Sequence, residues 1–252
     1  MARKFDEVDD ALTLADHSAL TLPNGNWTVS VWVKLDDNDG VYYQYFISWG
    51  GLYANPSFNW YFYEDGHGSE PDELRVYLNS SLILTSSGSP GTSRTWQHLA
   101  LVRSGTTVTQ YVNGSADGSG SHSAAVDVAD TFYIGQREDG SAGRYYGGHL
   151  AELAKWDRAL STGEIAALAG GMPASRIGGQ LKIYIPMFGA SSPEPNYAGT
   201  AVNAALVSTP THSSHPPVAP MFGFDTHAGL YVPAAGGAVP VMMESYRRRR
   251  IA

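Results

Sequence analysis

Residues 95–114 read Thr-Trp-Gln-His-Leu-Ala-Leu-Val-Arg-Ser-Gly-Thr-Thr-Val-Thr-Gln-Tyr-Val-Asn-Gly, and this stretch decides the fold class. Leu99 and Leu101 fall on one face of an extended strand, Ala100 and Val102 on the other. Ser104-Gly105 supplies a tight turn, because glycine takes positive φ without a Cβ penalty. Val108, Gln110 and Val112 then alternate with Thr107, Thr109 and Tyr111, and Asn113-Gly114 makes the next turn. The stretch is a β-hairpin.

The same period of two continues on both sides. Trp27, Val29, Val31 and Val33 alternate with Thr28, Ser30, Trp32 and Lys34. Residues 5–14, 42–49, 59–63, 74–78, 82–85, 132–136, 148–156 and 180–187 complete the strands, while 114–125 reads as a polar, small-residue loop. One helix is expected. Ser161 caps it with Glu164 at the third helical position, Ile165, Leu168 and Ala169 follow at helical spacing, and Gly170-Gly171 ends it. From residue 189 onward eight prolines forbid long regular elements, so 189–252 reads as an extended arm ending in Arg247, Arg248, Arg249 and Arg250.

Composition narrows the function. The chain has 252 residues, enough for one sandwich-sized core, and no cysteine, which excludes disulfides and thiolate metal sites. Residues 1–170 carry 10 basic and 21 acidic side chains (10 − 21 = −11), and 171–252 carry 6 and 3 (6 − 3 = +3). The acidic body repels polyanions, so nucleic acid is not an expected partner. No run approaches a membrane span. The opening residues have no apolar leader, and synthesis without a secretory signal is the expectation.

Four blocks carry a family resemblance over residues 4–188. They are Phe5-Asp6-Glu7-Val8-Asp9-Asp10, the strand 26–34, the Trp96–Gly114 hairpin, and the run from Phe132-Tyr133-Ile134-Gly135-Gln136 through Gly148-His149-Leu150 to Trp156-Asp157-Arg158-Ala159-Leu160-Ser161. Together they resemble laminin-G-like, concanavalin A-like and pentraxin-like domains. The resemblance implies an all-β, two-sheet antiparallel jelly-roll sandwich with one short helix, over residues 1–188, followed by the arm. It also implies a calcium loop after Gly135-Gln136, with Glu138 and Asp139 as ligands and Arg137 standing where an oxygen donor is usual. Asp6, Asp9 and Asp10 form a second acidic cluster for a cation.

Tyr42, Tyr43, Tyr45, Trp49, Tyr53, Trp60, Tyr61 and Tyr63 are dense, and alternation sends about half of them into the core. Tyr145 and Tyr146, flanked by glycines, are expected to be exposed beside the acidic loop and to face a glycan. His98 reads as packed structure. No histidine pair has metal spacing, and no nucleophile elbow appears. Glu7 and Asp9 offer a spaced carboxylate pair, but residue 11, where a third acid would stand in a glycosidase strand, is Ala. Glu70-Pro71-Asp72-Glu73 reads as a loop.

Tyr184-Ile185-Pro186-Met187 followed by Pro193-Glu194-Pro195-Asn196, Gly199 and His215-Pro216-Pro217-Val218 resembles the ending of laminin-G-like proteins encoded by tailed phages. The expectation is therefore a non-enzymatic virion protein, decorating a capsid or accessory to a tail, and assembled in the bacterial cytoplasm. It would be anchored through the arginine tetrad to other virion proteins, homo-oligomeric in the particle, and would present its sandwich to surface glycans. The alternatives are a secreted or surface lectin module and a concanavalin A-like glycoside hydrolase.

Overall fold

Alternating apolar residues of two sheets meet face to face. The computed structural model describes residues 1–36, 43–63, 73–88, 90–141, 144–188 and 192–219. In chain order the elements are β1 (Ala2–Asp6), β2 (Ala11–Leu14), β3 (Trp27–Leu35), β4 (Tyr43–Trp49), β5 (Phe58–Tyr63), β6 (Glu73–Leu78) and β7 (Ser81–Thr85). Then come β8 (Gln97–Ser104), β9 (Thr107–Val112), β10 (Ser115–Ser121), β11 (Phe132–Ile134), β12 (Gly147–Trp156), α1 (Thr162–Ala169), β13 (Leu181–Ile185), β14 (Ala205–Val207) and β15 (Thr211–Ser213). An eight-stranded sheet runs β10-β9-β8-β3-β12-β1-β15, with β13 also on β12, and a seven-stranded sheet runs β14-β2-β11-β4-β5-β6-β7. The expected jelly-roll sandwich is what the structure shows.

Trp27, Val29, Val31 and Val33 point into the core while Trp32 lies on the opposite face, as the alternation of β3 requires. In the hairpin, Leu99, Leu101 and Val108 join the same core. The register pairs Ser104 with Thr107, so the two-residue turn is Gly105-Thr106, one position later than the sequence reading. Gly105 takes φ +62, which fixes that choice. Ser161 accepts from the Glu164 backbone N–H, and Glu164 returns to the Ser161 N–H at 2.8 Å, so the capping box forms as expected.

Two further expectations are corrected. Residues 115–121 form a strand, β10, paired with β9. A backbone ladder needs no apolar side chains, and glycine at 120 permits the Ile83 carbonyl to approach where a Cβ would overlap it. The boundary at 188 also moves. Residues 194–213 contribute β14, paired with β2, and β15, paired with β1, and so belong to the sandwich rather than to an arm. The compact unit runs to Ala219. Arg247, Arg248, Arg249 and Arg250 lie outside the described residues, as do Tyr42 and Glu70-Pro71-Asp72.

Candidate functional site

The outer face of the seven-stranded sheet is built by β4, β5 and β6. In β4 the alternation breaks at an irregularity between Tyr45 and Ile47. Phe46 and Ile47 both enter the core, so Tyr45 faces outward while Trp49 faces inward. In β5 Phe58, Trp60 and Phe62 face inward, leaving Asn59, Tyr61 and Tyr63 outside. Tyr77 of β6 joins them. The dense aromatics of the sequence are thus divided between a core and an outer tyrosine layer.

That layer is ordered. Tyr45 and Tyr61 stack with centroids 4.5 Å apart, and Tyr61 and Tyr77 lie 6.2 Å apart at 21°. Tyr43 and Tyr63 meet at 5.3 Å. The Arg75 guanidinium sits 3.7 Å above the Tyr63 ring, and that of Arg144 4.9 Å above Tyr43. Tyr45 and Tyr61 are buried, Tyr43, Tyr63 and Tyr77 half-buried, and Tyr53, whose ring stands edge-on to Tyr77, is 75% exposed. Burial pushes the Tyr45 and Tyr61 hydroxyls well above the usual phenol range, so the floor of this surface is neutral.

A polar loop borders the tyrosines. Arg137 N–H donates to the Arg144 carbonyl and Gly140 N–H to the Arg137 carbonyl, each at 3.1 Å, which holds residues 136–140 beside residues 144 and 145. Glu138 N–H donates to the Ser48 hydroxyl at 3.2 Å, and that hydroxyl lies 2.7 Å from Asn59 Oδ1 and 3.2 Å from Glu138 Oε2. Glu138 is thereby docked on β4, at the Ser48 that also bonds Asn59 of β5. Asp139 accepts from Ser141 N–H at 3.1 Å. Partial burial pushes Asp139 up, but the Ser141 hydrogen bonds and the Arg137 and Arg144 charges outweigh it and hold the carboxyl below its usual range.

Glu138 and Asp139 do not assemble a calcium cage among the described residues. Calcium takes six to eight oxygens at about 2.3–2.6 Å. Here both carboxylates turn to the Arg137 guanidinium, at 3.6 Å (Glu138 Oε2) and 3.3 Å (Asp139 Oδ2). The second acidic cluster is more compact, with carboxylate oxygens of Asp6, Asp9 and Asp10 within 4.8 Å of one another. Backbone donors serve it: Asp6 Oδ1 accepts from Val8 and Asp9 N–H, and Asp10 Oδ1 accepts from Thr209 N–H. Burial, with Asp6 and Asp9 nearby, pushes Asp10 up to about 6.

The two tyrosines expected beside the loop part company. Tyr145 is half-buried and donates to the Gly140 carbonyl at 3.0 Å. Tyr146 is fully buried, packed edge-on against Phe5 and Phe46 at 6.2 Å each. Adjacent residues of an extended chain point to opposite faces, so one member of this pair enters the core. Tyr146 cannot meet a ligand. Glu7, half of the carboxylate pair considered for hydrolysis, accepts from Gln44 Nε2 at 2.9 Å and packs where a Cβ on Gly147 would overlap it.

On the other sheet, His98 behaves as packed structure. It is 1% exposed, edge-on to Trp32 at 5.5 Å, and neither ring nitrogen has a hydrogen-bond partner among the described residues. Burial pushes its pKa down to about 3. The unfolded chain takes up the proton near 6.5, so His98 penalises folding by about 1.4 kcal/mol per pH unit as pH falls from 6.5 toward 3. His98→Leu is expected to raise the urea midpoint modestly at pH 7 and by a larger margin at pH 5. Parallel pH dependence in the two proteins would refute that.

Comparison with known proteins places this architecture. The family model described as the concanavalin A-like lectin/glucanases superfamily matches residues 6–166. A search of curated protein sequences gave no match. Among solved structures, a Bacteroides ovatus protein described as a candidate carbohydrate-binding protein aligns with TM-score 0.63 at 14% identity, over 86% of this chain. The chain spans 61% of that structure's length. A heptameric SAP-like pentraxin from Limulus polyphemus aligns with TM-score 0.56 at 20% identity, over 81% of this chain and 94% of its own.

Proposed function

The chain belongs to the concanavalin A-like lectin/glucanases superfamily, and from that premise we propose that it binds carbohydrate on the outer face of its seven-stranded sheet. The observation that carries this reading is the tyrosine layer. Tyr53 and the half-buried Tyr43, Tyr63 and Tyr77 offer ring faces and edges to pyranose C–H groups, over a neutral floor of Tyr45 and Tyr61. Glu138, Asp139 and the Arg144 guanidinium border them and supply acceptors and donors for sugar hydroxyls. The resemblance of the Bacteroides ovatus structure supports the same reading at the level of fold.

Recognition rather than hydrolysis is the proposed outcome. Glu7 is engaged with Gln44 and packed against Gly147, which leaves the hydrolase alternative without a free pair at the strand where it was sought. Attachment to a virion would run through residues 220–252, outside the described residues, while 192–219 is taken up by the protein's own sandwich. A lectin module, with or without a particle to carry it, is the reading these observations support.

A glycan array tests the proposal. Tyr77→Ala and Tyr53→Ala are each expected to weaken binding of the array's best oligosaccharide roughly tenfold, about 1.4 kcal/mol. Val8→Ala, exposed at the start of the chain, is expected to bind as the parent does. Full affinity in both tyrosine variants would remove the site from this face.

A further inference from the structure

The loop that borders the tyrosine layer contains its own cation. Arg137 is enclosed, with its side chain 16% exposed, and its Nη2 lies 3.3 Å from Asp139 Oδ2 while Nε faces Glu138 Oε2 at 3.6 Å. The backbone fixes where this guanidinium stands. Residue 137 donates to the Arg144 carbonyl and accepts from Gly140 N–H, both at 3.1 Å, so its backbone is held at both polar groups. Ser48 holds Glu138 against β4 from the other side. Two carboxylates from consecutive residues therefore turn toward one group.

Charge counting gives the same picture. Arg137 and Arg144 offset Glu138 and Asp139, so these four side chains sum to zero and present no net negative charge to a divalent ion. A guanidinium stays protonated at any working pH and brings five donors and no acceptor. It can pull the carboxylates together, but it cannot serve as a calcium ligand. The cost of displacing it would be to strand an enclosed positive charge beside the incoming ion.

We propose that Arg137 takes the place of a divalent cation in this loop, neutralising Glu138 and Asp139 and holding them against β4, so that the loop keeps its shape without calcium. It follows that recognition at the adjoining tyrosine surface does not depend on calcium. The inference stands on the loop's ion pairs and does not require that the surface bind sugar.

The test is thermal unfolding of the full chain in millimolar calcium chloride or in EDTA, beside variants of the loop. Wild type and E138Q/D139N are expected to respond alike to calcium, with no rise in melting temperature owed to these two carboxylates. A response to calcium that persists unchanged in E138Q/D139N would place the ion elsewhere, at Asp6, Asp9 and Asp10 for example, and also agrees with the proposal. R137Q is expected to melt roughly 2–4 °C lower, as the loss of about 1 kcal/mol does in a chain of this size. R137Q/E138Q/D139N is expected to recover most of that loss, because the uncompensated carboxylates are gone. A calcium-induced rise in the wild type that E138Q/D139N abolishes would overturn the proposal. So would R137Q melting with the wild type.

Discussion

Arg3→Leu is expected to lower stability by roughly 3–5 kcal/mol, the usual cost of removing one partner from a buried ion pair. Arg3 of β1 is 4% exposed and Glu194 1%, with Nε to Oε1 at 2.7 Å. Nη1 also donates to the Pro210 carbonyl at 2.8 Å. One guanidinium thus ties the first strand to two points of the C-terminal segment, on either side of β14. Leucine removes the guanidinium from the buried Glu194 carboxylate and takes the donor from the Pro210 carbonyl at the same time. The double variant Arg3→Leu with Glu194→Leu is expected to regain most of the loss, since an apolar pair needs no compensation there. The same logic covers truncation. A chain ending at residue 188 loses Glu194, β14 and β15, and exposes the edges of β1 and β2. It is expected to lack a cooperative urea transition, whereas one ending at 219 keeps it. A cooperative transition in the shorter chain would show that the segment is an appendage after all.

Arg103→Leu is expected to cost at least about 3 kcal/mol, through hydrogen bonds instead of an ion pair. Arg103 is 1% exposed and donates to five backbone carbonyls. They are Gly105 at 2.9 Å, Pro23 at 3.2 Å, Asn24 at 2.6 Å, Ser123 at 2.9 Å and Ala124 at 2.7 Å. The side chain therefore pins the entry to β3, the β8–β9 turn and the exit from β10 to one another. Hydrogen bonds to a charged group contribute about 1.5–3 kcal/mol each in isolation, but they share one side chain and do not add. Lysine is not expected to rescue, because three donors on a point charge cannot span five carbonyls set around a planar fork. Urea unfolding of Arg103→Leu and Arg103→Lys at pH 7 checks both statements; a midpoint within error of the parent in either would contradict them.

Period-two patterns were readable wherever the strand was regular. The inward set of β3, the two faces of the 97–112 hairpin and the Ser161–Glu164 box all follow from local chemistry, and the structure contains each. What the sequence could not show is decided by partners distant along the chain. The irregularity after Tyr45 swaps the faces of β4, so no count of alternating residues would place Tyr45 outside and Trp49 inside together. The glycines after Tyr146 suggest exposure in sequence, whereas Gly147 and Gly148 allow close approach of Glu7 and of the Lys34 carbonyl at the head of β12, and Tyr146 is buried. β10 carries almost no apolar residue, yet its backbone completes a sheet edge. Prolines between residues 193 and 217 limit the length of strands without forbidding three-residue ones, which is how β14 and β15 hide in a proline-rich segment. Arg137 was visible as a departure from the expected oxygen donor. Only the folded loop reveals that its guanidinium lies within ion-pair distance of both Glu138 and Asp139.

The placement of the recognition surface is best tested by amide NMR, titrating the uniformly labelled protein with the strongest oligosaccharide from the array. The expected shifts cluster at Tyr43, Tyr53, Tyr63 and Tyr77 and at residues 136–141, 144 and 145, with the eight-stranded sheet unmoved. Shifts confined to the outer face of that other sheet, around Trp32 and Tyr111, or no saturable shift with any array ligand, would contradict it.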